Sequence, residues 1–420
     1  MRYATVAAFV AGILCAASGG AALAGPLTGD HDDNDRHDRA DQSIQLGPRP
    51  FFLVQGMDPS PLKSRLLNCQ NGPFRRTNFS IAHRGAPLQF PEHTQEAYEA
   101  GARMGAGIVE CDVTFTKDGQ LVCRHDECDL HTTTNIVDTT LNASCTVPWS
   151  GANSVPRCCT SDLTLAQFRT LKGKMDASNP AATTAAGFLG GTPSFRTDLY
   201  NSRGTLLTLR DSIALNRRLG VKHTPELKAG NPARIAQVFG SQANYAQSMI
   251  DEFKKAHVSP RDVFAQSFNL ADVTYWVTHE PAYGRQAVYL DDVDPSVGIP
   301  PLTPAELQAV RAQGVRIFAP PIPALLAVDS NDRVVPSQYA NDIKAAGLKI
   351  ISWSFERADL RRGAANAGFY YAFDPQGRAI KKDSDMYLAL DVLAQDVGII
   401  GLFSDWPATV SYYASCMDLD

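Results

Sequence analysis

From about residue 78 the chain alternates short apolar runs with segments of helical periodicity. Phe79–Ala82, Ile108–Phe115, Lys222–Leu227, Val263–Ser267, Gln286–Leu290, Val315–Ala319, Lys349–Ser354 and Ile399–Phe403 read as strands. Between them, apolar residues recur every three or four positions over Thr94–Met104, Leu209–Leu219, Tyr245–Ala256, Leu270–His279, Pro304–Gln313, Pro336–Ala346 and Ser384–Gln395, which predicts helices. Strands separated by helices imply parallel βαβ units in an α/β fold. Eight of them closing into a ring give a (β/α)8 TIM barrel. A doubly wound open sheet is the alternative, and catalytic residue types spread over several strand ends favour the barrel.

One stretch breaks the repeat. Residues from about 127 to 204 are rich in Thr, Ser, Asn, Gly and Cys, and only Leu163–Leu171 has helical spacing. A loop of that length in a compact domain is functional or stapled. It is expected to be a disulfide-braced insertion after the second strand, lying over the catalytic end of the barrel and shaping its pocket.

The 420 residues, 44% of them hydrophobic, suffice for a full-sized core. A formal net charge of -5 gives no reason to expect nucleic acid or an acidic membrane surface as partner. Arg2, the apolar run Ala4–Ala17 and the Ala22-Leu23-Ala24 site read as a cleavable signal peptide. Downstream, no apolar run approaches the ~20 residues of a membrane helix. The charge-dense run from Gly29 to Asp41 reads as a solvated linker. The chain thus divides into a signal peptide (1–24), an N-terminal linker or extension (25–77) and a barrel (78–415) carrying the insertion. Periplasmic or secreted localisation follows. Without Cys15 the mature chain keeps an even set: Cys69, Cys111, Cys123, Cys128, Cys145, Cys158, Cys159 and Cys416. In an exported chain that favours disulfides. The cluster from Cys128 to Cys159 would staple the insertion, and a tie between Cys69 and Cys416 would join the ends of the folded region. The connectivity itself stays open.

The densest chemistry lies early in the barrel. His83-Arg84-Gly85 ends the first strand, Glu110-Cys111-Asp112 lies within the second, and His125 follows shortly after. Alternation along a strand puts Glu110 and Asp112 on one face about 6.6 Å apart. Glu226 offers a third carboxylate from another strand. Three carboxylates suit a hard divalent cation, Ca²⁺ ahead of Mg²⁺. Arg84 and Lys228 add charge that would offset a bound anion. His83 and His125 have the side chain that titrates nearest neutrality and form a candidate acid/base pair.

The run IAHRGAPLQFPEHTQEAYEAGARMGAGIVECDVTFTKDGQLVCRHD resembles the signature of the glycerophosphodiester phosphodiesterase family, within the phospholipase-C-like phosphodiesterases. TPELK around Glu226, AQSF around Gln266, SW at Trp353 and GLFSDWP around Asp405 continue the likeness over about 78–415. The resemblance implies metal-dependent hydrolysis of glycerophosphodiesters to glycerol 3-phosphate and an alcohol, in the periplasmic branch of the family. It implies acid/base roles for His83 and His125, metal ligation by Glu110, Asp112 and Glu226, and a small-molecule substrate. Glu92 of PEHT resembles the family's PENT glutamate, with His93 in place of the usual Asn. Glu92, Gln266 and Trp353 join Arg84 and Lys228 as substrate-binding candidates, although Gln266, Phe268 and Trp353 also suit packing. For Asp405 the favoured reading is a cap on the last turn. A lysophospholipase D or sphingomyelinase D-like activity is the alternative. An apolar groove in the insertion would favour it, with Phe188-Leu189 and Phe195 as the only hints. A non-catalytic ligand-binding barrel ranks below both. Head-group preference and oligomeric state are not encoded legibly.

Overall fold

Each apolar run read as a strand contributes one in the computed structural model, which describes residues 44–197 and 199–420. The strands in chain order are β1 (Thr77–Ala82), β2 (Ala106–Phe115), β3 (Leu121–Cys123), β4 (Lys222–Leu227), β5 (Gln266–Ser267), β6 (Val288–Leu290), β7 (Ile317–Ala319), β8 (Leu326–Val328), β9 (Val334–Pro336), β10 (Lys349–Phe355) and β11 (Gly401–Ser404). The parallel neighbours run β1-β11-β10-β7-β6-β5-β4-β2, and β1 also pairs with β2, so eight strands close into a barrel. β3 lies antiparallel to β2 at the rim, and β8 with β9 forms a separate hairpin. The sequence pattern missed these pieces because three residues are too short to show a period.

β2 is buried over its whole length, as expected of a strand covered on both sides. Ile81, Ile108, Val288, Leu290, Ile317, Ala319, Ile351 and Phe403 fill the barrel interior. Helices cover the outside. Leu209–Leu219 shows why they start and stop where they do. Thr208 and Asp211 bond each other's backbone N–H in a reciprocal cap, and Gly220 ends the helix at φ 66°.

The signal peptide and the charge-dense run lie outside the described residues. The linker or extension assigned to 25–77 is folded from residue 44 onward: helices Arg49–Gly56 and Pro61–Asn68 pack on the C-terminal helix Pro407–Met417. Phe51 meets Tyr412 at 5.3 Å, Tyr412 donates to the Leu66 carbonyl at 2.6 Å, and Arg49 pairs with buried Glu356. Aromatic burial there outweighs the polar composition that suggested a linker.

The insertion carries its own small core, including Leu130, Ile136, Leu163, Phe168 and Phe188. Cys128–Cys159 and Cys145–Cys158 brace it. Cys111–Cys123 joins β2 to β3, and Cys69–Cys416 ties the extension to the last helix across 347 residues of chain. Closing so long a loop removes much denatured-state freedom. Replacing Cys69 and Cys416 together by Ala should cost about 2–4 kcal/mol, read as a lower urea midpoint, with turnover of the folded protein unchanged.

Candidate active site

Strand register assembles the acidic cluster. Asp112 on β2 stands opposite Glu226 on β4, and Glu226 opposite Gln266 on β5. Glu110 joins them because side chains two apart share a strand face. One carboxylate oxygen from each of Glu110, Asp112 and Glu226 lies within 4.8 Å of the other two, and all three residues are buried.

Their surroundings fix how each points. Glu110 accepts from the Arg84 backbone N–H at 2.9 Å and from Gln266 Nε2 at 2.8 Å. Asp112 Oδ2 meets His93 Nε2 at 2.8 Å, and Glu226 meets Lys228 Nζ at 2.6 Å. Asp112 Oδ1 is buried with no hydrogen-bond partner among the described residues. Burial, with Asp112 and Glu226 adding to it, drives the Glu110 carboxyl well above the usual range. Burial likewise outweighs Lys228 and, with Asp112 adding to it, holds Glu226 at about 7. Burial opposes the charge on Asp112 too, but His93 and Lys228 overcome it and keep that carboxyl well below its ordinary value. Three converging carboxylates, one with an unpartnered buried oxygen, are a donor set that fits a hard divalent cation.

His83 follows β1 directly. Its Nδ1 lies 2.6 Å from Asp405 Oδ1, at the end of β11, and its Nε2 lies 3.8 Å from Glu110 Oε2 and 3.3 Å from the Ser354 hydroxyl. Arg357 and His83 hold the Asp405 carboxyl down against its burial, so Asp405 is ionised and accepts the Nδ1 proton. Burial and the neighbouring Arg84 charge push His83 down to about 4, which leaves Nε2 as a free base at neutral pH. Asp405 is therefore the partner that orients His83, and the reading of it as a turn cap is corrected. Arg357 continues the chain, bonding Asp405 Oδ2 at 2.9 Å and Asp176 Oδ2 at 3.1 Å, and Asp176 pairs in turn with Arg196. Asp176 and Arg196 belong to the insertion.

The HRG turn explains itself in the same terms. Arg84 sits at φ 53°, and a Cβ on Gly85 (φ 99°) would fall 2.7 Å from the Ala97 carbonyl carbon. Only glycine lets the turn press on helix Gln95–Arg103 and aim Arg84 inward. Arg84 Nη1 then bonds Glu92 Oε2 at 2.8 Å.

His83, Arg84, Glu92, Glu110, His125, Glu226, Lys228 and Trp353 all line one cavity of about 560 Å³ at the C-terminal ends of the strands. His125 is half-buried, and burial with the Arg84 and Lys228 charges pushes its pKa well below 6.5. Asp129, Thr132, Thr133 and Asp176–Ser178 of the insertion form part of the wall, together with Phe268, Tyr370 and Arg357. Gln266 departs from its assignment as a substrate contact. It is fully buried behind Glu110 and does not face the cavity. Trp353 lines the cavity edge-on to Phe268 at 5.8 Å, with Nε1 donating to the Ala319 carbonyl. Phe188, one of the residues that hinted at an apolar groove, is spent in the insertion's small core against Trp149.

Arg357, Asp176 and the His93 contact were missed as well. Asp405 had a readable signal, a charged residue immediately after a strand run. Asp176 had none, since no local pattern marks a loop residue that reaches another loop.

A model of the glycerophosphoryl diester phosphodiesterase family matches residues 83–409. An "extracellular protein" of the fungus Arthroderma benhamiae is 44% identical over 248 residues, 58% of this chain and the whole of that relative. A glycerophosphodiester phosphodiesterase of Arabidopsis thaliana is 24% identical, over 80% of this chain and 85% of its own length. The chain spans about half of a second, longer Arabidopsis relative of the same description, with 48% covered. The crystal structure of a protein described as a glycerophosphoryl diester phosphodiesterase from Silicibacter pomeroyi shares the fold, with a TM-score of 0.54 at 17% identity over 83% of this chain and 95% of that one.

Proposed function

The chain belongs to the glycerophosphoryl diester phosphodiesterase family, and from that premise we propose that it hydrolyses glycerophosphodiesters to glycerol 3-phosphate and an alcohol with a divalent cation and two acid/base histidines. The observation that carries this reading is the sharing of one cavity by His83, His125 and the carboxylates Glu110 and Glu226, with Asp112 completing the acidic cluster. Glu110, Asp112 and Glu226 would hold the cation, Ca²⁺ ahead of Mg²⁺. When bound, it supplies Lewis-acid polarisation of the phosphoryl oxygens.

Arg84 and Lys228 offset the negative phosphodiester, Arg84 being aimed by its bond to Glu92. His83, with Nδ1 committed to Asp405, has an unprotonated Nε2 beside the Ser354 hydroxyl that takes a proton from the attacking hydroxyl or water. His125 gives a proton to the departing alkoxide. It is neutral at rest, so in this scheme it must pick up that proton within the site, and the two roles are exchangeable between the histidines. The insertion walls off the cavity and strengthens its electrostatics. We also place the protein outside the cytoplasm. Four disulfides suit an oxidising compartment, and no described helix is long and apolar enough to cross a membrane.

The test is release of choline and glycerol 3-phosphate from glycerophosphocholine by the purified protein, with and without EDTA, then with Ca²⁺ or Mg²⁺ restored. Turnover lost to EDTA and regained with cation is expected. Undiminished turnover in EDTA would remove the cation from the scheme, and no release from any glycerophosphodiester would remove the substrate class.

A further inference from the structure

His125 is neutral at rest yet must deliver a proton, and one buried acid in the same cavity is left without a task. Asp129 of the insertion lines that cavity with His125. It is 9% exposed and, among the described residues, pairs with no cation. Its Oδ2 accepts the Asp126 N–H at 3.2 Å, so the carboxyl lies against the peptide that leaves His125. Its Oδ1 lies 3.3 Å from the Thr133 hydroxyl. Asp129 precedes the short helix Leu130–Thr133, but its side chain does not cap it. Nor does it belong to the carboxylate cluster of Glu110, Asp112 and Glu226. The charges around it leave it uncompensated. Arg124 spends Nε, Nη1 and Nη2 on the main-chain carbonyls of Cys123, Thr133 and Glu92, while Glu92 and Asp126 add negative charge nearby. A buried, unpaired carboxylate is disfavoured in a cavity that receives a phosphodiester, whereas a neutral carboxyl is not. Burial, with Glu92 and Asp126 adding to it, outweighs Arg124 and holds the group at about 7.

We propose that Asp129 supplies the proton that His125 hands to the departing alkoxide, which assigns His125 to the leaving-group side of the cavity and His83 to the attacking side. The inference rests on the phosphodiesterase reading and completes its proton path. The two histidines then differ in their aspartates. Asp405 is held ionised and orients a base, whereas Asp129 keeps its proton near neutrality and recharges an acid. The attacking water gives one proton to His83 Nε2 as its oxygen bonds to phosphorus. The phosphorus–oxygen bond to the head-group alcohol breaks, and its electron pair stays on the alcohol oxygen. That oxygen takes the proton passed from Asp129 through His125. Afterwards His83 returns its proton to solvent and Asp129 takes one back, so the sum is one water consumed per diester.

The experiment compares glycerophosphocholine with the p-nitrophenyl diester of glycerol 3-phosphate, with Ca²⁺ saturating so that Glu110 and Glu226 stay ionised. Choline departs as a basic alkoxide that needs a proton, and p-nitrophenolate departs without one. Asp129→Asn keeps an acceptor for the Asp126 N–H but carries no acidic proton. It should lower kcat for glycerophosphocholine by about two orders of magnitude and for the p-nitrophenyl diester by less than about threefold, a difference that also certifies folding. Asp129→Glu should restore most of the lost rate. Adding Asp129→Asn to His125→Asn should cost nothing further, since both act in one transfer. The unsubstituted protein supplies a test of its own. The proton is available below the Asp129 pKa and lost above it, so kcat for glycerophosphocholine should fall as pH rises through about 7, while kcat for the p-nitrophenyl diester should not. An alkaline limb on both substrates or on neither overturns the proposal while the parent reading stands. Equal losses on both substrates in Asp129→Asn, or a raised KM at unchanged kcat, would make Asp129 a structural or glycerol-binding group and overturn it too. Failure of the unsubstituted protein on both diesters sinks the parent reading instead.

Discussion

His83→Asn is expected to lower kcat for glycerophosphocholine by about two to four orders of magnitude, with cation affinity unchanged by isothermal titration calorimetry. The same loss is expected of His125→Asn. The reason is positional. His83 Nε2 stands 3.8 Å from Glu110 and is held there by the Asp405 contact at 2.6 Å on the other ring nitrogen. Asparagine keeps a polar side chain but has no basic lone pair. The double variant should be little slower than either single one, because residues acting in one proton-transfer sequence are not additive. Asp405→Asn should lose most of the same factor with both histidines present, since a neutral amide no longer stabilises the Nδ1–H tautomer. Near-normal turnover in either single histidine variant would refute the assignment.

The second large effect is expected at the acidic cluster. Asp112→Asn should weaken Ca²⁺ binding by roughly two orders of magnitude or more, since affinity at such sites follows the number of ligand charges, and turnover should fall with it. Binding should also depend on pH in a fixed direction. Glu226 is held at about 7 without a cation and Glu110 is pushed well above its usual range. A cation must therefore expel a proton that the cluster still holds near and below neutrality. Protons and cation compete, so affinity should fall as pH drops below 7, by about tenfold per unit for one displaced proton. Calorimetry in two buffers of different ionisation enthalpy measures the protons released. Zero release at pH 6 would contradict the stated carboxyl positions. In the same experiment Ca²⁺ should raise the melting temperature, because it binds the folded chain alone.

The barrel was legible because most of its strands contain a short apolar run and the helices between them keep a 3.6 period. Leu209–Leu219 and Leu270–His279 match their expected bounds to the residue. Ser384–Gln395 matches less well. An α-helix covers Met386–Asp391 and then widens into a π-helix to Val397, a change of winding that side-chain spacing does not announce. The helices from residue 49 were not legible because their buried anchors, Leu53, Val54 and Leu66, are split between two helices of only eight residues each, too short to show a period. At the site, the carboxylates and histidines were readable because the chemistry crowds them into short motifs at strand ends. Gln266, Asp405 and Arg357 were misassigned or missed for one reason. What they do depends on a partner 156, 322 or 48 residues away.

The ion-pair path from His83 through Asp405, Arg357 and Asp176 to Arg196 has a consequence for protein engineering. The first three groups belong to the barrel and the last two to the insertion, so the boundary between scaffold and decoration runs through a charged pair, not through neutral ground. Grafting a foreign loop in place of 127–204 would leave the Arg357 guanidinium, now shared between two carboxylates, bonded to one alone. The freed N–H groups would then pull on the aspartate that aims His83. A designer exchanging this loop must carry Asp176 across with it.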